Sequence, residues 1–363
     1  MLWRKKNVKT KLFYGVLVAL FIASAAGHYL HWGMILNFIL SAGAILLLAA
    51  FLGKATESVA HYAGERIGGF LNATFGNATE LIIAIFLVKE GMFEMVKASL
   101  TGSIIGNLLF VLGLSLFCGG LKYKVQSFNV DLAKMNGSLM VLATIALFVP
   151  AVFFNTHTIS SQSVTTLSLI VAGVLILSYI LWLVFSMMTH KDILAEEQKQ
   201  EEPHVEDGPA WSKTTSILML VIATVMVAFA SEWLVGTLDA LSVQFGMNEL
   251  FIGAFVIAIV GNAAEHAAAI FLAMKNKVGA SVEIAIGSSL QIALFVAPVL
   301  VFVSAAFGNT MDYVFSIIEI VAIMVSVFIA KSISQDGRTN WYEGLLLLVV
   351  YVILGASFYL IPA

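Results

Sequence analysis

Runs of about twenty apolar residues, the length that crosses a bilayer as a helix, recur along the chain between short polar breaks. Eleven such runs are readable. The first six lie near 12–30, 33–53, 70–88, 93–118, 133–154 and 163–189, and five more near 213–235, 249–274, 279–306, 313–331 and 341–361. The second is expected to continue as an amphipathic helix through Lys54-Ala-Thr-Glu57 towards Arg66, and the seventh from Ser231-Glu232 to about Phe245. Glycines and polar residues interrupt several runs, so boundaries are looser than the runs themselves. The pattern predicts an all-α polytopic membrane protein of about 11 transmembrane helices.

Composition leaves no room for another class. Of 363 residues, 60% are hydrophobic and 11% charged, against about 45–50% apolar and about 25% charged in a soluble domain. The mean hydropathy is +0.97. Disorder requires the reverse composition. The single cysteine, Cys118, makes neither a disulfide framework nor a zinc site. The bilayer is the obligatory partner, nothing points to nucleic acid, and a homo-oligomer is compatible with the layout.

Charge sets the orientation. With the N-terminus in the cytoplasm, every Lys and Arg except Lys89 and Lys97 falls inside, as the positive-inside rule favours. The expected location is a cell membrane of bacterial type. Arg4-Lys5-Lys6 followed by an apolar stretch and Ala23-Ser24-Ala25 also has the look of a cleavable signal. A retained first helix is the favoured reading, because small residues are common in membrane helices. Between runs six and seven, residues 192–207 carry seven carboxylates (Asp192, Glu196, Glu197, Glu201, Glu202, Glu206, Asp207). They form an acidic linker on the cytoplasmic side, read first as a solvated connector and second as a cation-gathering segment.

The strongest signal is a repeat. Shifting the chain by 185 positions aligns 67–111 with 252–296 without a gap, and 17 of the 45 positions are identical. Gly76-Asn77-Ala78-Thr79-Glu80 falls on Gly261-Asn262-Ala263-Ala264-Glu265, Gly102-Ser103 on Gly287-Ser288, and Leu109-Phe110-Val111 on Leu294-Phe295-Val296. Aliphatic bias does not produce a shared Gly-Asn-Ala-x-Glu. The two motifs lie five spans apart, an odd number, so the halves are inverted, an architecture of secondary transporters with the site at the repeat interface. The expected organisation is an extra N-terminal helix (1–31), a first five-helix repeat (32–190), the linker (191–212) and a second five-helix repeat (213–363).

Glu80 and Glu265 each fall near the middle of a span, where an ionisable residue costs roughly 2.5–3.5 kcal/mol and marks function by default. Gly76 and Gly261, four residues earlier, are expected to break the helix and free backbone carbonyls. Asn77 shares a helix face with Glu80, and Asn262 with Glu265. Two carboxylates, amide oxygens and carbonyls make an all-oxygen site. That suits calcium, which accepts six to eight irregular oxygens, better than magnesium. Ser103 and Asn107, and Ser288 and Gln291, add polar groups on the next spans, as further ligands or as interhelical hydrogen bonds. His266 projects about 100° away from Glu265, towards packing or proton handling. Glu94, Glu283, Glu319 and Glu343 fall nearer span ends and are read as structural.

At these residues the chain resembles the calcium/proton exchangers of the calcium/cation antiporter superfamily. The resemblance rests on Gly76-Asn-Ala-Thr-Glu80-Leu-Ile, Gly102-Ser-Ile-Ile-Gly-Asn107, Gly261-Asn-Ala-Ala-Glu265-His266 and Gly287-Ser-Ser-Leu-Gln291-Ile-Ala-Leu. It implies two inverted five-helix halves plus one helix, and calcium export against proton entry. It further implies Glu80 and Glu265 as shared carriers of calcium and protons, Asn107, Ser288 and Gln291 as supporting ligands or gates, and His266 beside the site. The sodium/calcium branch usually carries a Gly-Thr-Ser-x-Pro-Glu motif. Asn77 and Ala78 stand in place of its Thr-Ser pair, Thr79 and Ala264 stand nearest the proline, and Ile292 offers no carboxylate. Sodium is therefore disfavoured as the driving ion. No cofactor is expected beyond the transported calcium and protons. A sodium-driven exchanger and a cation channel are the rival readings. A membrane enzyme is least favoured, since no His-Glu-x-x-His pair or nucleophile–base pairing is visible.

Overall fold

The computed structural model describes residues 2–189 and 210–362; the acidic segment 192–207 lies outside them. Twelve α-helices are formed among the described residues. The first half contributes α1 (Leu2–Tyr29), α2 (Met34–Phe75), α3 (Ala78–Lys89), α4 (Phe93–Tyr123), α5 (Val130–Asn155) and α6 (Gln162–Thr189). The second contributes α7 (Lys213–Val235), α8 (Leu238–Phe245), α9 (Glu249–Ala273), α10 (Val278–Ala306), α11 (Ile317–Ile333) and α12 (Trp341–Tyr359). Nine candidate spans are long and apolar enough to cross a bilayer, α7 and α8 counting as one. With α3 (12 residues) and α11 (17 residues) the rods number eleven, as the apolar pattern predicts. The chain is an integral membrane protein.

Sequence spacing explains the packing. Ile45, Leu48 and Leu52 recur on one face of α2 and are buried, as are Ala223, Val227, Ala230 and Leu234 on α7; the two helices pack along these stripes. Their outer faces carry exposed Leu36, Ile39 and Leu46, and Leu218, Val221, Val225 and Phe229. In water such surfaces would associate; against lipid tails they are solvated, with the backbone satisfied inside each helix.

Two sets of turns mark the ends of the bundle. At one end, β1 (Val125–Ser127) and β2 (Arg338–Asn340) form an antiparallel ribbon with Val125 opposite Asn340. Gln126 there donates to the Ala273 carbonyl and Asn276 Oδ1, and Lys122 to the Met274 carbonyl. This ribbon adds six residues of strand to an otherwise helical fold, and no run of β-branched residues announces it. At the far end, the buried Lys97 pairs with Glu94 at 2.6 Å and Asp312 at 3.3 Å and donates to the Val314 carbonyl. Glu319 and Glu343 close capping boxes with Ser316 and Asn340. Helix α3 runs to the far end, towards the turn before Lys97, and α9 runs to the ribbon end at Ala273–Met274. The motif helices are thus antiparallel, as inverted halves require.

Two details depart from the expected course. Helix α2 continues through Lys54 and beyond Arg66 to Phe75, bending at Gly64, whose φ of 79° and ψ of 169° lie outside helical space; only glycine holds such a conformation without strain. In consequence 70–75, assigned from sequence to the third span, belongs to α2. The extension of the seventh run is interrupted at Gly236–Thr237, so α7 and α8 are separate helices.

Candidate functional site

Helices α3, α4, α9 and α10 meet in the middle of the bundle, and the motif residues meet with them. The two glycines expected to break their helices behave differently. Gly76 and Asn77 form a turn between α2 and α3, where the Gly76 N–H bonds to the Asn72 carbonyl. Gly261 breaks nothing: it lies inside the continuous helical stretch Ala258–Ala273. What both supply is space. A Cβ on Gly261 would stand 3.1 Å from Glu80 Cγ, and one on Gly76 would stand 3.5 Å from Glu265 Oε1. Each glutamate therefore rests on the glycine of the other repeat. A glycine used for close approach and one used for a break look alike in sequence, which is why the Gly261 expectation fails.

The amides and hydroxyls link the halves in the same crossed fashion. Asn77 Nδ2 donates to Gln291 Oε1, and the Ser288 hydroxyl donates to Asn77 Oδ1 at 3.0 Å. Asn107 Nδ2 donates to Ser288 Oγ at 3.1 Å, and Asn262 Nδ2 to Ser103 Oγ at 2.9 Å. The Ser288 side chain also reaches the Glu265 carboxylate. Among the described residues, both Glu80 oxygens, Glu265 Oε2 and Asn262 Oδ1 are buried without a hydrogen-bond partner. Buried acceptors left unpaired are costly, and these four, drawn from both repeats, are oxygens that a cation or protons would satisfy. Among the described residues no group of three or more His, Cys, Asp or Glu is placed to hold a metal, so neutral oxygens would have to complete any coordination shell. A small cavity beside Glu80 is lined by Ser99, Ser103, Ile257, Ala258 and Gly261.

His266 is buried against the Phe110 ring, with centroids 6.1 Å apart, and Phe110 in turn stacks on Tyr351. The His266 Nε2 has no hydrogen-bond partner among the described residues. Helices α4 and α10 each contain a π-helical turn, at Gly106–Val111 and Ile292–Val296. These are equivalent positions of the repeat, one beginning beside Asn107 and the other directly after Gln291. Extra residues of this kind are frequent at functional sites. The buried Tyr313 hydroxyl donates to the Ala293 carbonyl within the second. Neither the π-turns nor Tyr313 carried a signal in the sequence.

The family model described as sodium/calcium exchanger protein matches residues 33–188 and 215–360. The chain belongs to that family. Within it, the chain falls among the calcium/proton exchangers. It is 46% identical to the Ca(2+)/H(+) antiporter ChaA of Bacillus subtilis (strain 168) over 351 residues, covering 97% of this chain and 99% of that protein. It is 44% identical to the Ca(2+)/H(+) antiporter of Aphanothece halophytica over 365 residues, covering 98% of each. The solved structure of native YfkE superposes with a TM-score of 0.83 at 42% identity, over 96% of this chain and 100% of that one. The H+/Ca2+ exchanger CAX superposes with a TM-score of 0.74, over 97% and 92%. At 14% identity this last match speaks for the fold alone.

Proposed function

We propose that the protein is a secondary antiporter that exports calcium in exchange for protons, with Glu80 and Glu265 as the shared carriers. The observation that carries this reading is the crossed arrangement of the two glutamates, with buried, unpartnered oxygens drawn from both repeats. The identities to calcium/proton antiporters over nearly the whole chain support the choice of ions.

Two carboxylates held together in a poorly hydrated site cannot both stay charged at low cost. Calcium neutralises both, and so do protons, so the two ligands exclude each other. The pair takes up protons as a unit rather than as two independent residues. Asn77, Asn262, Ser103, Asn107, Ser288 and Gln291 contribute neutral oxygens or hold those that do, which suits the irregular shell of calcium. An occupied site is electrically tolerable during reorientation and an empty doubly charged one is not, which makes exchange obligatory. The long helices α2 and α7 are the elements expected to rock against the four-helix core and alternate access. The N-terminus, the ribbon end and the acidic linker face the cytoplasm, by the excess of Lys and Arg on that side.

The test is calcium flux in sealed proteoliposomes with an imposed proton gradient and no sodium. Uphill calcium movement that collapses on adding a protonophore is expected. Uphill movement only with a sodium gradient would transfer the coupling to sodium, and downhill flux alone would make the protein a channel.

A further inference from the structure

The inverted repeat allows one face of the bundle to be compared with its own counterpart. On α4, Ala98, Gly102 and Gly106 stand four residues apart on one face and all are buried. A Cβ on Gly102 would overlap the Ala254 backbone, and one on Gly253 would stand 2.5 Å from the Ala98 Cβ. The start of α9 therefore lies directly on this face of α4 at Ala98 and Gly102, while a Cβ on Gly106, though buried, would meet nothing within 4 Å.

The equivalent positions on α10 are Glu283, Gly287 and Gln291, and here the face is open. Between Ser281 and Ala293, Glu283 is exposed, Ile284, Gly287 and Gln291 are half-buried, and every other residue is buried. A Cβ on Gly287 would meet nothing within 4 Å. The counterparts of Gly253 and Ala254 are Gly68 and Gly69 of α2, and they pack elsewhere. A Cβ on Gly68 would stand 2.7 Å from the Ala60 carbonyl oxygen, and one on Gly69 would overlap Met187. At its inner end the open stripe reaches the junction of the two halves. Gln291 accepts from Asn77 and lies against Gly76, itself exposed, at the junction of the two halves. Glu283 thus sits near the ribbon end of a partly exposed stripe that reaches Gln291 about 12 Å further along the helix at 1.5 Å per residue.

We infer that Glu283 is a receiving carboxylate for calcium on the cytoplasmic path to Glu265 and Gln291. The inference rests on the calcium/proton reading above. A fixed negative charge at the cytoplasmic end of a cation route raises the local concentration of a divalent cation. It lowers the calcium concentration needed on that side and leaves turnover at saturation alone. The repeat provides the internal control, because the counterpart Ala98 carries no charge and is buried; the effect is confined to one side of the membrane.

Sided flux measurements test this. Glu283→Gln is expected to raise the KM for cytoplasmic calcium about fivefold, the loss of one partly screened attraction to a divalent ion, with kcat and the KM for external calcium unchanged. The difference should shrink at high salt, and Glu283→Asp should restore the wild-type KM. An unchanged cytoplasmic KM, or an equal rise on both sides, would overturn the assignment. Accessibility is read separately, by placing Glu283→Cys in a Cys118→Ser background and adding a membrane-impermeant charged thiol reagent. Labelling from the cytoplasmic side is expected, and labelling from the external side alone, or none, would overturn the open path. Failure of wild-type exchange would strike the functional reading instead, since labelling reports the face independently of transport.

Discussion

At the scale of single residues, the proposed exchange rests on Glu80, Glu265 and the groups around them. Glu80→Gln and Glu265→Gln each keep the shape and remove the charge. Each is expected to reduce proton-driven calcium uptake into vesicles to background while the protein still elutes as a folded species. Full exchange by either variant would remove the shared-carrier mechanism. Asn77 is the hub of the neutral network, donating to Gln291 and accepting from Ser288. Truncating a buried hub leaves its partners unpaired at about 1–3 kcal/mol each. Asn77→Ala should therefore raise the calcium KM about tenfold or more, measured on both sides of the membrane. That the two carboxylates come together was legible in sequence, because an ionisable residue at mid-span is expensive and the same expense appears twice at a spacing of 185. The role of Gly261 was not legible, because a glycine that makes room for Glu80 and a glycine that breaks a helix are one letter.

At the scale of elements, the repeat specifies equivalent helices but not equivalent surroundings. Gly102 and Gly287 are identical in sequence and match in the repeat, yet one is clamped on Ala254 and the other is open. The glycine itself does not distinguish them; the difference lies in what packs on each, Ala254 against Gly102 and nothing within 4 Å of Gly287. The contrast is measurable. Gly102→Ala forces a methyl group into a packed backbone, and overpacking of that kind costs typically about 1–3 kcal/mol. Gly287→Ala adds the same group to open space. The first should lower the thermal unfolding midpoint in detergent and the second should leave it unchanged. Equal shifts would mean that the two faces are packed alike. The π-turns at Gly106–Val111 and Ile292–Val296 teach a similar lesson. An apolar helix tolerates an extra residue wherever a tertiary partner such as the Tyr313 hydroxyl satisfies the displaced carbonyl, and that partner comes from 20 residues away.

At the scale of the whole molecule, the site is the place where the two halves depend on each other. Each half supplies one glutamate, and each glutamate rests on the other half's glycine, so an ion held by the pair, as proposed, would tie the repeats together. A ligand that binds only the folded protein stabilises it by about 2.7 kcal/mol at one hundred times its Kd. Calcium should therefore raise the unfolding midpoint, and pH decides by how much. On the shared-carrier mechanism, calcium requires both carboxylates ionised, and protons bind the same oxygens. As pH falls, protonation of the pair competes with calcium, its apparent Kd rises, and the stabilisation at a fixed calcium concentration must shrink. As pH rises, the stabilisation grows until both carboxylates are ionised, and then levels off. Calcium binding should also release protons into a weakly buffered solution. Both effects should vanish together in Glu80→Gln and in Glu265→Gln, because either substitution leaves a single charge for a divalent ion. Calcium stabilisation independent of pH, with no proton release, would mean that calcium and protons occupy different groups; obligatory exchange would then need a conformational coupling in place of shared oxygens.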